Sequence, residues 1–359
     1  MRRLLYITNG IKGAGGLERV LSVKASYLAE KLNYDVHIVV LNNNQDSFFY
    51  NFSDKIKVHD IKATGTIFSF YKSYIKGIQE IVKMLQPDAI SVCDDGLKGF
   101  FVPIFLPKKY PLIYERHASI LHNTSSKKAG KIMQILMRFL GSKFSKFVVL
   151  TSSNEKEWSL KNSQIIPNPL SFYPQESSSL SQKKIVVVGT HSYNKGYDLL
   201  LQVWKNIVLQ FPDWTLDIYG KIDPNETFVQ LAKALKIDTS VTFYHPVSNI
   251  KEVYLNASLL VLTSRTEGFG MVLIEAMSCG LPCVAFDCPS GPRDIIKTNE
   301  DGFLISPENV EEMTKKIIFL IENEESLKQM GAQARVNVRR YLPEAIMLKW
   351  DQLFKDLIS

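Results

Sequence analysis

Four cysteines in 359 residues, with no C-x-x-C pair and no histidine cluster at metal-ligand spacing, leave neither a disulfide framework nor a zinc motif to read. Cys93, Cys279, Cys283 and Cys288 are therefore expected as buried free thiols in a reducing compartment. No apolar run approaches the roughly 18 residues that a membrane span requires. The start, Met1-Arg2-Arg3-Leu4-Leu5-Tyr6-Ile7, resembles a secretory leader but is broken by Asn9-Gly10-Ile11-Lys12-Gly13, so a first β-strand is the better reading. No low-complexity tract argues for disorder, and 45% hydrophobic residues can fill two cores. The length suits two domains better than one.

Charge is present but unevenly spread. Through Asn168, Lys and Arg outnumber Asp and Glu 24 to 13; beyond it the ratio is 19 to 23. The basic first half points to an anionic surface or acceptor, and no nucleic-acid recognition motif accompanies it. Both halves alternate short apolar strands with amphipathic helices, the pattern of doubly wound α/β sheets. Strand candidates are 4–8, 36–41, 89–92, 112–114 and 147–151 in the first half, and 184–188, 215–219, 241–244, 259–262 and 283–286 in the second. The halves share no sequence repeat. The boundary falls at Ile165-Ile166-Pro167-Asn168-Pro169, before the serine-rich stretch 171–182, which reads as a polar linker. This gives a first domain at 1–168 and a second at 183–342. In such sheets, ligands bind outside the carboxyl ends of the strands.

The most informative stretch is Ser264-Arg265-Thr266-Glu267-Gly268-Phe269-Gly270-Met271-Val272-Leu273-Ile274-Glu275-Ala276. It leaves a buried strand and enters a helix through two glycines, where backbone must approach a ligand or take φ > 0. A helix starting there offers unpaired N–H groups to an anion. Glu275, between Ile274 and Ala276, needs a hydrogen-bonding reason to be there. Carboxylates suit sugar and ribose hydroxyls. The bland alternative is a helix N-terminus with an acidic first turn.

This stretch resembles the E-x7-E motif of retaining glycosyltransferases of family 4, which have the GT-B fold. The likeness continues through Cys279-Gly280-Leu281-Pro282 and Phe286-Asp287-Cys288-Pro289-Ser290-Gly291-Pro292-Arg293. It implies two Rossmann-like doubly wound domains facing across a cleft, with the final helix, about 343–359, packed back on the first domain. By the same resemblance, Glu267 and the amides of Gly268, Phe269, Gly270 and Met271 hold the donor sugar, and Glu275 holds the ribose. Val188-Gly189-Thr190-His191-Ser192-Tyr193-Asn194-Lys195-Gly196 resembles the family's diphosphate loop, with Gly189, Thr190 and Lys195 at the donor. Thr190 stands where the family carries arginine; weaker donor binding, or another cation such as Arg265 or His191, would follow. Gly15 and Gly16, in Gly10-Ile11-Lys12-Gly13-Ala14-Gly15-Gly16-Leu17-Glu18-Arg19, resemble the family's Gly-Gly-x-Glu-Arg loop over the donor. His117, ending Tyr114-Glu115-Arg116-His117, matches a family histidine that reaches a donor hydroxyl.

The catalytic set implied is Glu267, His117 and Lys195, with no metal and no cofactor beyond a UDP-sugar donor. Asp-x-Asp, the triplet usual in metal-dependent transferases of the other major fold, is missing, and Asp94-Asp95 is a poor substitute. The expected reaction moves a hexose or N-acetylhexosamine from a UDP-sugar to a saccharide acceptor with retention. Residues 127–146 hold six basic residues and no acid, with Ile132, Ile135, Leu136, Phe139 and Leu140 at helical spacing. With the apolar and basic segment 101–109, they suggest a lipid-linked acceptor and an anionic membrane surface at the cytoplasmic face. A core-packed helix with a solvated basic face is the alternative. The rival functions are a nucleotide-sugar-binding protein without transferase activity and a GT-B epimerase or hydrolase.

Overall fold

The computed structural model describes residues 1–43, 48–94, 96–120 and 127–358. The chain divides into two units: Met1–Ser171 with Pro343–Ser359, and Phe172–Leu342. In the first, β1 (Arg3–Thr8), β2 (Asp35–Leu41), β3 (Lys57–Ile61), β4 (Ala89–Cys93), β5 (Leu112–Glu115), β6 (Lys146–Val149) and β7 (Ser163–Ile165) form one sheet in the order β3-β2-β1-β4-β5-β6-β7. Every pairing is parallel. Parallel neighbours need crossovers, and crossover helices cover both faces, which is why Leu4, Leu5, Tyr6 and Ile7 of β1 are all buried. Strand order reverses between β1 and β4, so the loops leaving those two strands diverge and open a crevice at their carboxyl ends.

Alternation along the strands separates two cores. Leu5, Ile7, Val92, Tyr114 and Phe147 meet the helix Ile67–Leu85, the helical segment 98–105 and the helix Lys127–Gly141 on one face. An aromatic stack runs through it: Phe100 lies 4.3 Å from Tyr114, which lies 5.2 Å from Phe147, which lies 4.7 Å from Trp158. The other face carries Tyr6, Ser91 and Glu115 beneath the helices Gly16–Glu30 and Pro343–Ile358.

The second unit holds β8 (Lys184–Val188), β9 (Thr215–Tyr219), β10 (Val241–Tyr244), β11 (Leu259–Leu262), β12 (Cys283–Phe286) and β13 (Gly302–Ile305), all parallel, in the order β10-β9-β8-β11-β12-β13. The topology of the first six strands of unit one thus recurs without a sequence repeat.

The serine-rich stretch read as a linker is instead packed on the second unit. The Ser178 hydroxyl donates to the Ala257 carbonyl at 2.6 Å, Leu180 is buried, and Arg335 donates to the main-chain carbonyls of Pro174, Gln175 and Glu176. Serine content suggested a polar linker, but the Ser178 hydroxyl and the carbonyls of residues 174–176 are bonded to the second unit. All four cysteines are free and buried. Among the described residues no helix is long and apolar enough to cross a membrane.

Candidate active site

β8 and β11 are neighbours where the second sheet reverses its order. The loop leaving β8 carries Gly189 to Lys195, and the loop leaving β11 carries Glu267 to Gly270, so topology alone brings these two segments together. Lys195 Nζ lies 2.6 Å from Glu267 Oε1, with the side chains 23% and 11% exposed. The pair is partly shielded yet reachable from solvent.

The backbone around it is tightly fixed. Gly196 takes φ +64°, and a Cβ there would lie 2.1 Å from the Thr263 carbonyl oxygen. That close approach lets the Thr263 hydroxyl donate to the Lys195 carbonyl at 2.9 Å. Asn194 Nδ2 donates to the Thr266 carbonyl at 3.0 Å, and the Arg265 amide donates to the Asn194 carbonyl at 2.8 Å. The Lys195 stem runs along Gly189, where a Cβ would sit 3.2 Å from Cε; the Tyr197 hydroxyl donates to the Gly189 carbonyl at 2.8 Å.

Beyond Glu267 the chain turns through Gly268 and Phe269 to Gly270, at φ +98°, and starts the helix Met271–Ser278 without a side-chain cap. Leading helix amides lack intrahelical partners and favour an anion. The loop after β12 clasps this turn. The Ser290 hydroxyl donates to the Glu267 carbonyl at 2.6 Å, and Gly291, at φ +96°, fits only because it lacks a Cβ, which would meet the Phe269 carbonyl oxygen at 2.4 Å. Glu275 lies about one turn into this helix and is fully buried, with the Tyr254 hydroxyl donating to it at 3.4 Å. Burial, with Glu267 nearby, pushes the Cys288 thiol up to about 12, so it stays a neutral packing group.

Thr190 is exposed at the mouth of the β8 loop. Neither cation considered as a replacement for the family's arginine is disposed to serve. Arg265 is gripped by Asp198 at 2.9 and 2.8 Å, by Glu308 at 2.7 Å and by the Tyr193 carbonyl at 2.6 Å. His191 is buried among Tyr197, Phe228 and Phe243, and burial lowers its pKa, which keeps the ring neutral. Lys195 is the cation positioned beside Glu267.

In the first unit, Gly15 and Gly16 are exposed and open the helix Gly16–Glu30. Glu18 and Arg19 stand in the first turn of that helix and also contact the loop before it. The loop folds so closely over the Glu18 carboxylate that a Cβ on Gly15 would meet it at 2.4 Å, while Arg19 binds the Tyr50 hydroxyl, which donates to the Ala14 carbonyl at 2.9 Å. His117 follows the carboxyl end of β5, and its Nε2 lies 3.5 Å from Glu115 Oε2. Glu115 is shut from solvent, ion-paired to Lys24 and hydrogen-bonded by the Ser91 hydroxyl. Burial alone would raise its pKa, but Lys24 and His117 hold the carboxyl at about 2. Lys24 stands 4.2 Å from the Trp350 ring centroid. Cys93, Glu115 and His117 bring ligand atoms within 4.8 Å of one another, and the Glu115 carboxylate among them is ion-paired to Lys24.

The geometry thus gathers Gly189, Lys195, Glu267, Gly268, Phe269, Gly270 and Met271 into one constellation in the second unit, and Gly15, Gly16 and His117 at the carboxyl ends of β1 and β5 in the first. Ser290, Gly291, Lys24 and Glu115 went unremarked as site residues in the sequence. Lys24 did carry a signal: it sits on the apolar face of its helix, four residues from both Val20 and Leu28.

A family model described as "Glycosyl transferases group 1" matches residues 172–337, nearly all of the second unit. An uncharacterized glycosyltransferase of Haemophilus influenzae is 32% identical over 357 residues, covering 98% of this chain and 99% of that protein. The amylovoran biosynthesis glycosyltransferase AmsD of Erwinia amylovora is 29% identical over 367 residues, with 98% and 99% covered. Among solved structures, a mutant of Staphylococcus aureus TarM in complex with fondaparinux, alpha-GlcNAc-glycerol and UDP has a TM-score of 0.85 at 16% identity, over 99% of this chain and 100% of that one.

Proposed function

The chain belongs to the glycosyl transferases group 1 family, and on that premise we propose that it moves a hexose or N-acetylhexosamine from a UDP-sugar to a lipid-linked saccharide acceptor, with retention and without a metal, in cell-surface polysaccharide assembly. The observation that carries this reading is the Lys195–Glu267 pair beside the Gly268–Met271 turn. UDP is bound in the TarM structure, and AmsD acts in amylovoran biosynthesis, which support the donor and the pathway class.

In the mechanism we infer, the diphosphate of the donor draws Lys195 away from Glu267 and takes the helix amides, so charge growing on the leaving group meets preorganised donors. Glu267, released, accepts hydrogen bonds from the sugar hydroxyls as the anomeric carbon gains oxocarbenium character. His117 contributes a further contact to the sugar. The acceptor oxygen attacks on the face the diphosphate leaves, and a phosphate oxygen takes its proton. The buried Glu275 holds the ribose.

Thermal-shift titration with UDP, GDP, ADP and UDP-hexoses in EDTA tests the donor and the metal independence together. Stabilisation by UDP and one UDP-sugar is expected; a shift appearing only with added divalent metal overturns the metal-free reading, and no shift with any nucleotide overturns the donor assignment. Glu267→Ala should retain UDP binding and lose transfer by about a hundredfold or more. Undiminished turnover removes Glu267 from the site.

A further inference from the structure

The helices that cover one face of the first sheet turn an unusually apolar side outward. Helix Ile67–Leu85, segment 98–105 and helix Lys127–Gly141 share one core, with Tyr74, Ile78, Phe100, Met137 and Leu140 all directed at the sheet. Tyr74 and Phe105 meet edge to face at 6.4 Å, and Gln79 donates to the Phe105 carbonyl at 2.9 Å, so the first two lie side by side. The third packs against segment 98–101. Their outward sides therefore belong to one surface. It displays Ile67 and Phe68 at 80% exposure, Ile104 at 65%, Ile132 at 69%, Ile135 at 66% and Phe139 at 57%. Of the five apolar residues placed on one stripe of helix Lys127–Gly141 by spacing, Leu140 alone is buried; Met137 joins it at the core, and the rest face solvent.

The segments that carry these side chains are nearly of one charge sign. Residues 67–85, 98–109 and 127–146 contain twelve lysines and arginines and a single acid, Glu80. Lys72, Lys76, Lys131 and Lys143 are exposed. Two copies of this surface pressed together would oppose basic residues to basic residues. An anionic bilayer complements both features: the apolar tips enter the headgroup boundary while the lysines stay at the phosphates. Helices Ile67–Leu85 and Lys127–Gly141 follow β3 and β5, so Ile67, Phe68 and Ile132 lie toward the carboxyl edge of the sheet, where Gly15 and His117 also stand.

We propose that this surface, contributed by three segments of the first unit, is a docking face for an anionic lipid bilayer and sets the carboxyl edge of the sheet against it. The inference deepens the lipid-linked-acceptor reading, on which its purpose rests, but its test does not depend on that reading. The full chain is floated with phosphatidylglycerol vesicles and with phosphatidylcholine vesicles at low and high salt, beside the triple variant Ile132→Ser/Ile135→Ser/Phe139→Ser and the separate variant Phe68→Ser. Thermal melting and UDP-induced shift are recorded for each. Binding to the phosphatidylglycerol vesicles that weakens with salt, and falls about tenfold or more in the triple variant with melting and UDP response retained, is expected. A smaller loss in Phe68→Ser extends the face to the second helix. Absence of binding at low salt, or binding undiminished in the triple variant, overturns the proposal. A dimer in sedimentation that the triple variant abolishes, without vesicle binding, also overturns it and makes the face a contact between copies. Loss of the UDP response alone strikes the donor assignment and leaves the docking face standing.

Discussion

A lysine and a glutamate shut away from water hold each other in place, and neither tolerates losing its partner. Lys24 and Glu115 are such a pair, with side chains 1% and 2% exposed. Glu115→Gln should lower stability by about 3–5 kcal/mol, because it strands a buried ammonium, and Lys24→Met/Glu115→Gln should recover most of that loss. Urea unfolding of the three proteins checks it; equal destabilisation of single and double variants would remove the pairing argument. The pH dependence follows in sign. The folded carboxyl titrates at about 2 against an ordinary 4.5, so its contribution is complete above 4.5 and is lost as pH falls toward 2. The wild type should therefore lose more stability than the double variant over that window. Because Glu115 also faces His117, the double variant should lose more sugar transfer than its small loss of stability explains, through misplacement of the imidazole. Lys195 and Glu267 were legible in the sequence because each sits in a short local motif. Glu115 and Lys24 were not, since their partnership spans 91 residues and no local pattern encodes it.

At the level of elements, the candidate site depends on glycines in loops rather than on the strands that carry them. Gly196→Ala forces a Cβ against the Thr263 carbonyl at a positive φ, and Gly291→Ala does the same against Phe269. Each should cost on the order of 1–3 kcal/mol and weaken UDP binding, Gly196→Ala by disturbing Lys195 and Gly291→Ala by opening the Glu267 turn. Melting temperature and UDP titration read both effects; retained affinity in either variant would show that the loop tolerates the shift. Ten strands were legible as mostly apolar segments, although Asp217 interrupts β9 and Thr242 interrupts β10. The three not expected, β3, β7 and β13, lie at sheet edges. An edge is covered on fewer sides, so Lys57-Val58-His59-Asp60-Ile61 and Ser163-Gln164-Ile165 need no unbroken apolar run. The helix Lys127–Gly141 shows the converse limit. Its periodicity revealed an apolar stripe but not which way the stripe faced.

Across the whole molecule, two doubly wound halves and the motif-bearing one were legible in the sequence, while the stretch read as a linker belongs from Phe172 onward to the second unit, to which Ser178 is bonded. The return of Pro343–Ile358 to the first unit came from family resemblance rather than from any pattern in those residues. It lays Trp350 over Lys24 and packs Ile346, Met347, Leu353 and Phe354 into the interior. A chain ended at Leu342 should therefore leave the first unit sensitive to limited proteolysis while the second stays protected, as peptide mapping would reveal. Equal protection of both units would make the last helix an accessory. The same arrangement bears on how the protein is made. The segment that is synthesised first is completed last, since its closing helix emerges only after the whole of Phe172–Leu342 has been translated. At about 5–20 residues per second that delay is roughly ten to thirty seconds. Throughout it the nascent first sheet waits on the ribosome with its buried ion pair uncovered, and a folding helper that shields that face would act during this interval.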